Sequence, residues 1–295
     1  MKILLFVASL FTGAATLSAA DDPRIAAPEP APATAYLFTY FTGNGADGLH
    51  LAWSRDGLKW ETLGDGKSYL KPKVGTSKLM RDPCVALGPD GVYHMVWTSG
   101  WHENNIGHAS TKDFLTWTEQ QEIPVMAHEP MVRNSWAPEL VWDRKREQFL
   151  IFWASTIPGK LPETAGTSED DLNHRIYSTT TKDWEKFTPT RLYYDPGFSE
   201  IDATIAPVED GYALVVKDET KTPPKKHLRF ALGKDVEGPW GELSAPFTRD
   251  WVEGPTVLKI DGAYLTYFDV YREKHYGVLR TSDGKTFEDL TDRLS

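Results

Sequence analysis

A single cysteine, Cys84, stands in the 295 residues. That excludes an intrachain disulfide framework and a zinc site built on clustered thiols. Basic residues are also in short supply. Lys and Arg total 32 against 42 Asp and Glu, a formal net charge of −10. An acidic chain without a long Lys/Arg block has little to grip nucleic acid or an anionic membrane with, so neither is expected as a partner. Nor does an apolar stripe of period 3.6 persist beyond a few residues, which argues against a helical fold.

Aromatics are plentiful, with 11 Trp, 12 Tyr and 13 Phe. They favour strands and supply flat apolar platforms for ligands. The start of the chain reads as a processing segment. Lys2 is followed by an apolar run over residues 3–11 and then small residues through Ser18-Ala19-Ala20. A basic start, a short apolar stretch and a small-x-small site describe a secretory signal over residues 1–20. The run is too short to span a bilayer comfortably. Periplasmic or extracellular location is expected. Residues 21–34, rich in Pro and Ala, read as a leader, and one domain is expected over residues 35–295.

That domain repeats itself. An Asp followed four or five residues later by an aromatic occurs five times: Asp56/Trp60, Asp113/Trp117, Asp183/Phe187, Asp235/Trp240 and Asp283/Phe287. Asp in such a position makes a turn by accepting backbone N–H groups just ahead of it. Upstream of each turn lies a β-rich run, at 36–41, 93–98, 149–154, 212–217 and 264–269. A further strand follows each run, at 49–53, 106–110, 174–178, 227–231 and 276–280. Strand, turn, strand, loop, strand, Asp turn, strand, five times over, predicts an all-β five-bladed β-propeller of four-stranded antiparallel blades. A β-sandwich with coincidental turns is the weaker alternative.

Carboxylates stand just before the first strand of four units: Asp82 in RDPCVAL, Glu139 in WAPELVW, Asp202 in IDATIAP and Glu253 in VEGPTVL. First strands of a propeller line its axis, so these acids are expected to face one space. Like charges gathered there repel unless they bind something or share protons. Converging carboxylates without a thiol or cofactor loop suit glycoside hydrolysis, in which one acid protonates the leaving oxygen and one carboxylate activates water. The same acids could instead bind a calcium ion at the axis or cap strand starts.

These four motifs, in this order, resemble glycoside hydrolase family 43, and the resemblance spans about residues 35–290. It implies a five-bladed propeller and an inverting hydrolase, chiefly of the α-L-arabinofuranosidase, β-xylosidase or arabinanase kind. It implies Asp82 as general base, Asp202 as the residue setting pKa and orientation, and Glu253 as general acid. Glu139 stands where the family often has Asp in Trp-Ala-Pro-Asp, and is read as a substrate-binding acid or as one that supports the residues touching substrate. Trp136, Trp101, His102, Asn134, Lys217 and Arg272 are further candidates for substrate contact, from their places at strand ends and loops. No cofactor or resident metal is expected to be required. A structural calcium ion at the axis is compatible with the acids.

Two features depart from the family pattern. A full unit precedes the blade bearing Asp82, so the blade order is shifted by one and the innermost strand of the first blade is unassigned. The histidine that often stands near the family's axis has no assigned counterpart; His50 and His275 are the candidates. The expectation is a secreted, monomeric, exo-acting glycosidase on plant-type polysaccharide. A galactosidase or other glycosidase on the same frame, and a non-catalytic carbohydrate-binding propeller, are the alternatives. A sialidase-like propeller is disfavoured, because neither an arginine triad nor a repeated Ser-x-Asp-x-Gly-x-x-Trp box is seen.

Overall fold

The computed structural model describes residues 4–8 and 34–295. The expectations for a signal and leader otherwise lie outside the described residues. The chain folds as a five-bladed β-propeller of antiparallel sheets. Blade 1 holds β1 (Leu4–Ala8), β2 (Ala35–Tyr40), β3 (His50–Ser54) and β4 (Glu61–Thr62). Blade 2 holds β5 (Arg81–Leu87), β6 (Tyr93–Thr98), β7 (Ile106–Thr111) and β8 (Gln121–Ile123). Blade 3 holds β9 (Trp136–Asp143), β10 (Gln148–Thr156), β11 (His174–Thr181) and β12 (Arg191–Tyr194). Blade 4 holds β13 (Glu200–Val208), β14 (Gly211–Asp218) and β15 (Leu228–Gly233). Blade 5 holds β16 (Glu253–Ile260), β17 (Ala263–Val270), β18 (His275–Thr281) and β19 (Glu288–Asp289).

The strand left unassigned by the sequence is β1. It pairs antiparallel with β2, from Leu4 opposite Thr39 to Ala8 opposite Ala35. It therefore lies within the segment expected to be a signal. In blade 4 the outermost segment runs beside β15 without a regular ladder. Gly241, Ser244 and Phe247 donate N–H bonds to Leu232, Phe230 and Leu228. Pro239 and Pro246 have no N–H to give, which prevents a continuous strand there.

The five Asp turns share one chemistry. Asp56 Oδ1 accepts the N–H groups of Leu58 and Lys59, both at 2.8 Å. Asp113, Asp183 and Asp283 accept the equivalent pairs at 2.7–3.0 Å. In each of these four, a hydroxyl two residues earlier (Ser54, Thr111, Thr181 or Thr281) accepts a further turn N–H. The fifth turn has Gly233 at that point, and Asp235 instead receives Glu237 N–H and the Arg146 guanidinium. The repeated motif is thus spent on closing turns.

The core is divided among the seams between blades, with one apolar cluster in each. Val85, Met95 and Trp97 meet Leu49 and Leu51 between blades 1 and 2. Val96 and Cys84 meet Phe149 and Trp153 between blades 2 and 3. Phe152 and Ile176 meet Leu214 and Val216 between blades 3 and 4. Val215 and Leu228 meet Phe268 and Val270 between blades 4 and 5. Tyr36 and Phe38 meet Leu258 and Tyr267 where the ring closes. That last seam is fastened by the chain's end. Trp60 N–H donates to Ser295 O at 2.7 Å, and Ser295 N–H to Leu58 O at 2.9 Å.

Candidate active site

The inner strands of blades 2 to 5 carry the same irregularity at the same place. Pairing slips between Arg81 and Cys84, between Trp136 and Glu139, between Ile201 and Thr204, and between Glu253 and Thr256. Each slip is a bulge in which two residues oppose one. The bulge pairs are Asp82-Pro83, Ala137-Pro138, Asp202-Ala203 and Gly254-Pro255. The first member of each is left-handed, with φ of 50°, 49°, 55° and 59°. Gly and Asp enter that region more readily than most residues, whereas Ala137 does so against its Cβ. Proline suits the second place, because a bulge leaves that position out of the ladder.

These four bulges build one cavity of about 170 Å³ at the axis. The left-handed residues Asp82, Ala137, Asp202 and Gly254 border it, as do the residues just before them, Arg81, Trp136, Ile201 and Glu253. Thr98 and Trp101 complete the lining. Asp82, Asp202 and Glu253, chosen from the sequence as catalytic, are therefore brought together. Two of them occupy the left-handed position and Glu253, with its longer arm, the one before. Glu139 is not their counterpart. It lies two residues past Ala137, is 3% exposed, and does not border the cavity. A larger cleft, about 640 Å³, opens at the seam of blades 1 and 5, but none of the three acids reaches it.

Hydrogen bonds tie the acids to neighbouring blades. Thr98 Oγ1 donates to Asp82 Oδ2 at 3.0 Å and accepts Ala137 N–H at 2.7 Å. Asp202 Oδ2 accepts Gly254 N–H at 2.9 Å. Glu253 Oε2 accepts from Lys217 Nζ at 2.8 Å. Lys217 is 2% exposed and also pairs with Glu219. Burial pushes the Glu253 carboxyl up while the Lys217 ammonium pulls it down, and the balance falls below the ordinary carboxylate range. Burial pushes Lys217 down, but Glu253 and Glu219 hold it well above its ordinary value.

One wall is aromatic and cationic. The rings of Trp101 and Trp136 meet edge to face at 5.5 Å, and Trp136 Nε1 donates to Trp101 O at 2.9 Å. The Arg81 guanidinium lies 4.1 Å from the Trp101 ring centre and 4.8 Å from that of Phe41. Asn44, from the loop between β2 and β3, accepts from both Arg81 and Trp101 Nε1 through one oxygen. The first blade thus braces this wall.

The remaining candidates lie elsewhere. His102 is exposed outside the cavity lining. Asn134 is fully buried and bonds His174 and the Thr156 N–H behind Trp136. Arg272 is exposed and lies over Trp251. His50 bonds Gly66 O and pairs with Asp47, while His275 bonds Glu273 and Tyr276. Neither borders the cavity. Among the described residues no group of three or more His, Cys, Asp or Glu is placed to hold a metal ion. The sequence reading missed Thr98 and Arg81, although Arg81 stands next to Asp82. It also missed Asp269, which sits opposite Glu253 in the sheet. Burial raises the Asp269 carboxyl and Glu253 adds to the rise.

Residues 31–293 match a family related to glycoside hydrolase family 43 and described as "Probable glycosyl hydrolase domain". The chain belongs to this glycosyl hydrolase family. An α-L-arabinofuranosidase of Bifidobacterium longum is 25% identical over 218 residues, covering 64% of this chain. The chain spans about a fifth of that relative's length, 20%. The α-L-arabinofuranosidase from Lactobacillus brevis superposes with a TM-score of 0.56 at 16% identity, over 71% of this chain and 72% of its own. An exo-β-1,3-galactanase from Phanerochaete chrysosporium superposes with a TM-score of 0.60 at 13% identity, over 87% of this chain and 60% of its own.

Proposed function

We propose that the chain is a secreted, inverting, exo-acting glycosidase that removes a terminal α-L-arabinofuranose or a similar pentose. The observation that carries this reading is a cavity of about 170 Å³ bordered by Asp82, Asp202 and Glu253. Its volume equals that of about six waters, which is room for one sugar ring. A single-ring pocket favours release of terminal sugars over cleavage within a polymer.

In this mechanism Asp82 takes a proton from the attacking water, and Glu253 gives one to the departing oxygen. The hydroxyl of Thr98 holds one Asp82 oxygen, leaving the other for water. Asp202, bonded to Gly254, fixes the strand start from which Glu253 reaches in. Trp136 and Trp101 offer faces for the sugar. In the free protein Lys217 holds Glu253 below the ordinary carboxylate range, and a sugar that expels water from the cavity works against this by disfavouring the charged carboxylate.

The pentose assignment is supported by the arabinofuranosidase relative. The wider superposition on the galactanase favours a terminal galactose as the second reading. Assay of the purified protein on nitrophenyl α-L-arabinofuranoside, β-D-xyloside and β-D-galactoside, and on the matching oligosaccharides, separates them. Release of arabinose from chain ends is expected. Faster release of galactose would select the second reading. Binding of oligosaccharide without hydrolysis of any of them would favour a carbohydrate-binding propeller.

A further inference from the structure

Behind Glu253 the fold buries a chain of alternating charges. Lys217, next to the last residue of β14, contacts both Glu253 and Glu219. Glu219, 7% exposed, contacts Lys226 through its other oxygen. Lys226 is itself 1% exposed and lies 3.8 Å from Glu169. The backbone at Glu219 and at Lys226 is fixed. Glu219 N–H donates to Ser199 O at 2.8 Å, and Val252 N–H donates to Lys226 O at 3.1 Å. Val252 immediately precedes Glu253, so the second lysine is tied to the strand that carries the acid.

Burying two ammonium and two carboxylate groups is costly unless each is paired, and here each is. A hydrophobic filling would serve stability at least as well. One end of the chain touches a carboxyl that borders the cavity, and this is its distinguishing feature. We infer that Lys217 is a positioning residue that sets the orientation and charge of Glu253, and that Glu219 meters how much of the lysine's charge reaches it. The inference rests on the glycosidase reading of Glu253.

Lys217 cannot be a direct sugar contact in the free protein, because its ammonium is enclosed and spent on two carboxylates. Among the described residues, other titratable groups also act on this cluster. Asp269 and Tyr271 face it from β17 and the turn after it, and Asp202 acts on Lys217 from β13. His275, at the start of β18, acts on Asp269. Burial raises Glu219 while the two lysines lower it, and the net direction is down, so it acts as an anion between them. Removing Lys217 takes a cation from Glu253. Removing the charge of Glu219 takes away an anion and leaves the lysine to Glu253 alone.

The two changes therefore act in opposite directions. A general acid works only while protonated, so activity falls as pH rises through its pKa. In Lys217→Met the alkaline limb of kcat/KM should move up by roughly one to three pH units, the usual effect of one neighbouring charge. In Glu219→Gln it should move down. Lys217→Arg keeps the charge and should stay near the wild type. Shifts in the same direction, or no shift in either, would overturn the inference. Should Lys217→Met fail to fold in thermal melts, Glu219→Gln should still move the limb down while Lys217→Arg leaves it in place, and an unmoved or raised limb in Glu219→Gln would overturn the inference. Carbon-13 NMR of labelled glutamate, with Glu253→Gln assigning the signal, follows the Glu253 carboxyl without any turnover. Its titration should shift as stated even if the wild type hydrolyses no tested glycoside. An unshifted titration would overturn the inference, whereas absence of hydrolysis alone would count only against the glycosidase reading.

Discussion

Thr98 donates its hydroxyl to Asp82 Oδ2 at 3.0 Å while accepting the N–H of Ala137 from the next blade at 2.7 Å. The bond fixes one carboxylate oxygen and spends the backbone of a strained left-handed residue to do it. Thr98→Val keeps the shape and removes the donor. A hydrogen bond to a charged group is worth about 1.5–3 kcal/mol, so kcat should fall roughly ten- to hundredfold, and the melting temperature should fall too because the Ala137 N–H loses this acceptor. Steady-state kinetics check this, and an unchanged kcat would mean that Asp82 needs no such hold.

Glu253→Gln keeps the size of the acid but cannot donate a carboxylic proton. The loss should be about a hundred- to ten-thousandfold on substrates with poor leaving groups. Aryl glycosides with good leaving groups need less protonation and should suffer less. Asp82→Asn should impair both kinds alike, because water needs its base whatever departs. Comparing the two variants on a series of aryl glycosides of graded leaving-group pKa makes the test.

A pH effect on stability is also expected. His94 Nδ1 and His108 Nε2 lie 3.1 Å apart, and both rings stack on Trp184 between blades 2 and 3. Burial holds His94 down to about 4 and His108 to about 3, with His94 adding to the effect on His108. His174, fully enclosed, is held down to about 4 by burial. Each is neutral in the folded state below the pH at which an exposed histidine takes its proton. Stability is therefore complete above about pH 6.5 and is lost as pH falls toward 4 and then 3, by up to about 1.4 kcal/mol per unit for each group. Melting temperatures of His108→Gln should fall less steeply over that interval than those of the wild type. Parallel curves would contradict this origin.

The start of the chain poses a direct question, because β1 lies in the segment read as a signal. Cleavage after Ala20 would remove β1 and leave the inner edge of β2 without that partner. Export in a bacterial host followed by mass spectrometry of the purified protein should place the first residue at Asp21. Recovery of the intact segment would make β1 a permanent part of blade 1.

Features that depend on near neighbours in the chain were legible beforehand. Asp56, Asp113, Asp183 and Asp283 bond amides two and three residues ahead, so spacing alone revealed the turns and hence the blades. Asp82, Asp202 and Glu253 could be found because each stands at the start of an inner strand. Glu139 looked equivalent, but the bulge at Ala137-Pro138 sets the phase; Pro138 hints at an irregular strand start, and only the pairing with β10 shows which residues border the cavity. Lys217 was visible as a strand-end cation. Its partner Glu253 is 36 residues away, so its task depended on how β14 and β16 meet. Thr98 carried no signal, since a single hydroxyl in a strand becomes meaningful only when the next blade supplies its donor.

Asp82 and Glu253, acting across one pocket, should invert the anomeric centre. Proton NMR of the first sugar released, recorded before mutarotation, tests this most directly. With a terminal α-L-arabinofuranoside the account predicts that β-L-arabinofuranose appears first, and that this signal is lost in Asp82→Asn. First appearance of the α anomer would mean retention through a covalent intermediate and would contradict the assignment of Asp82 as the base that activates water.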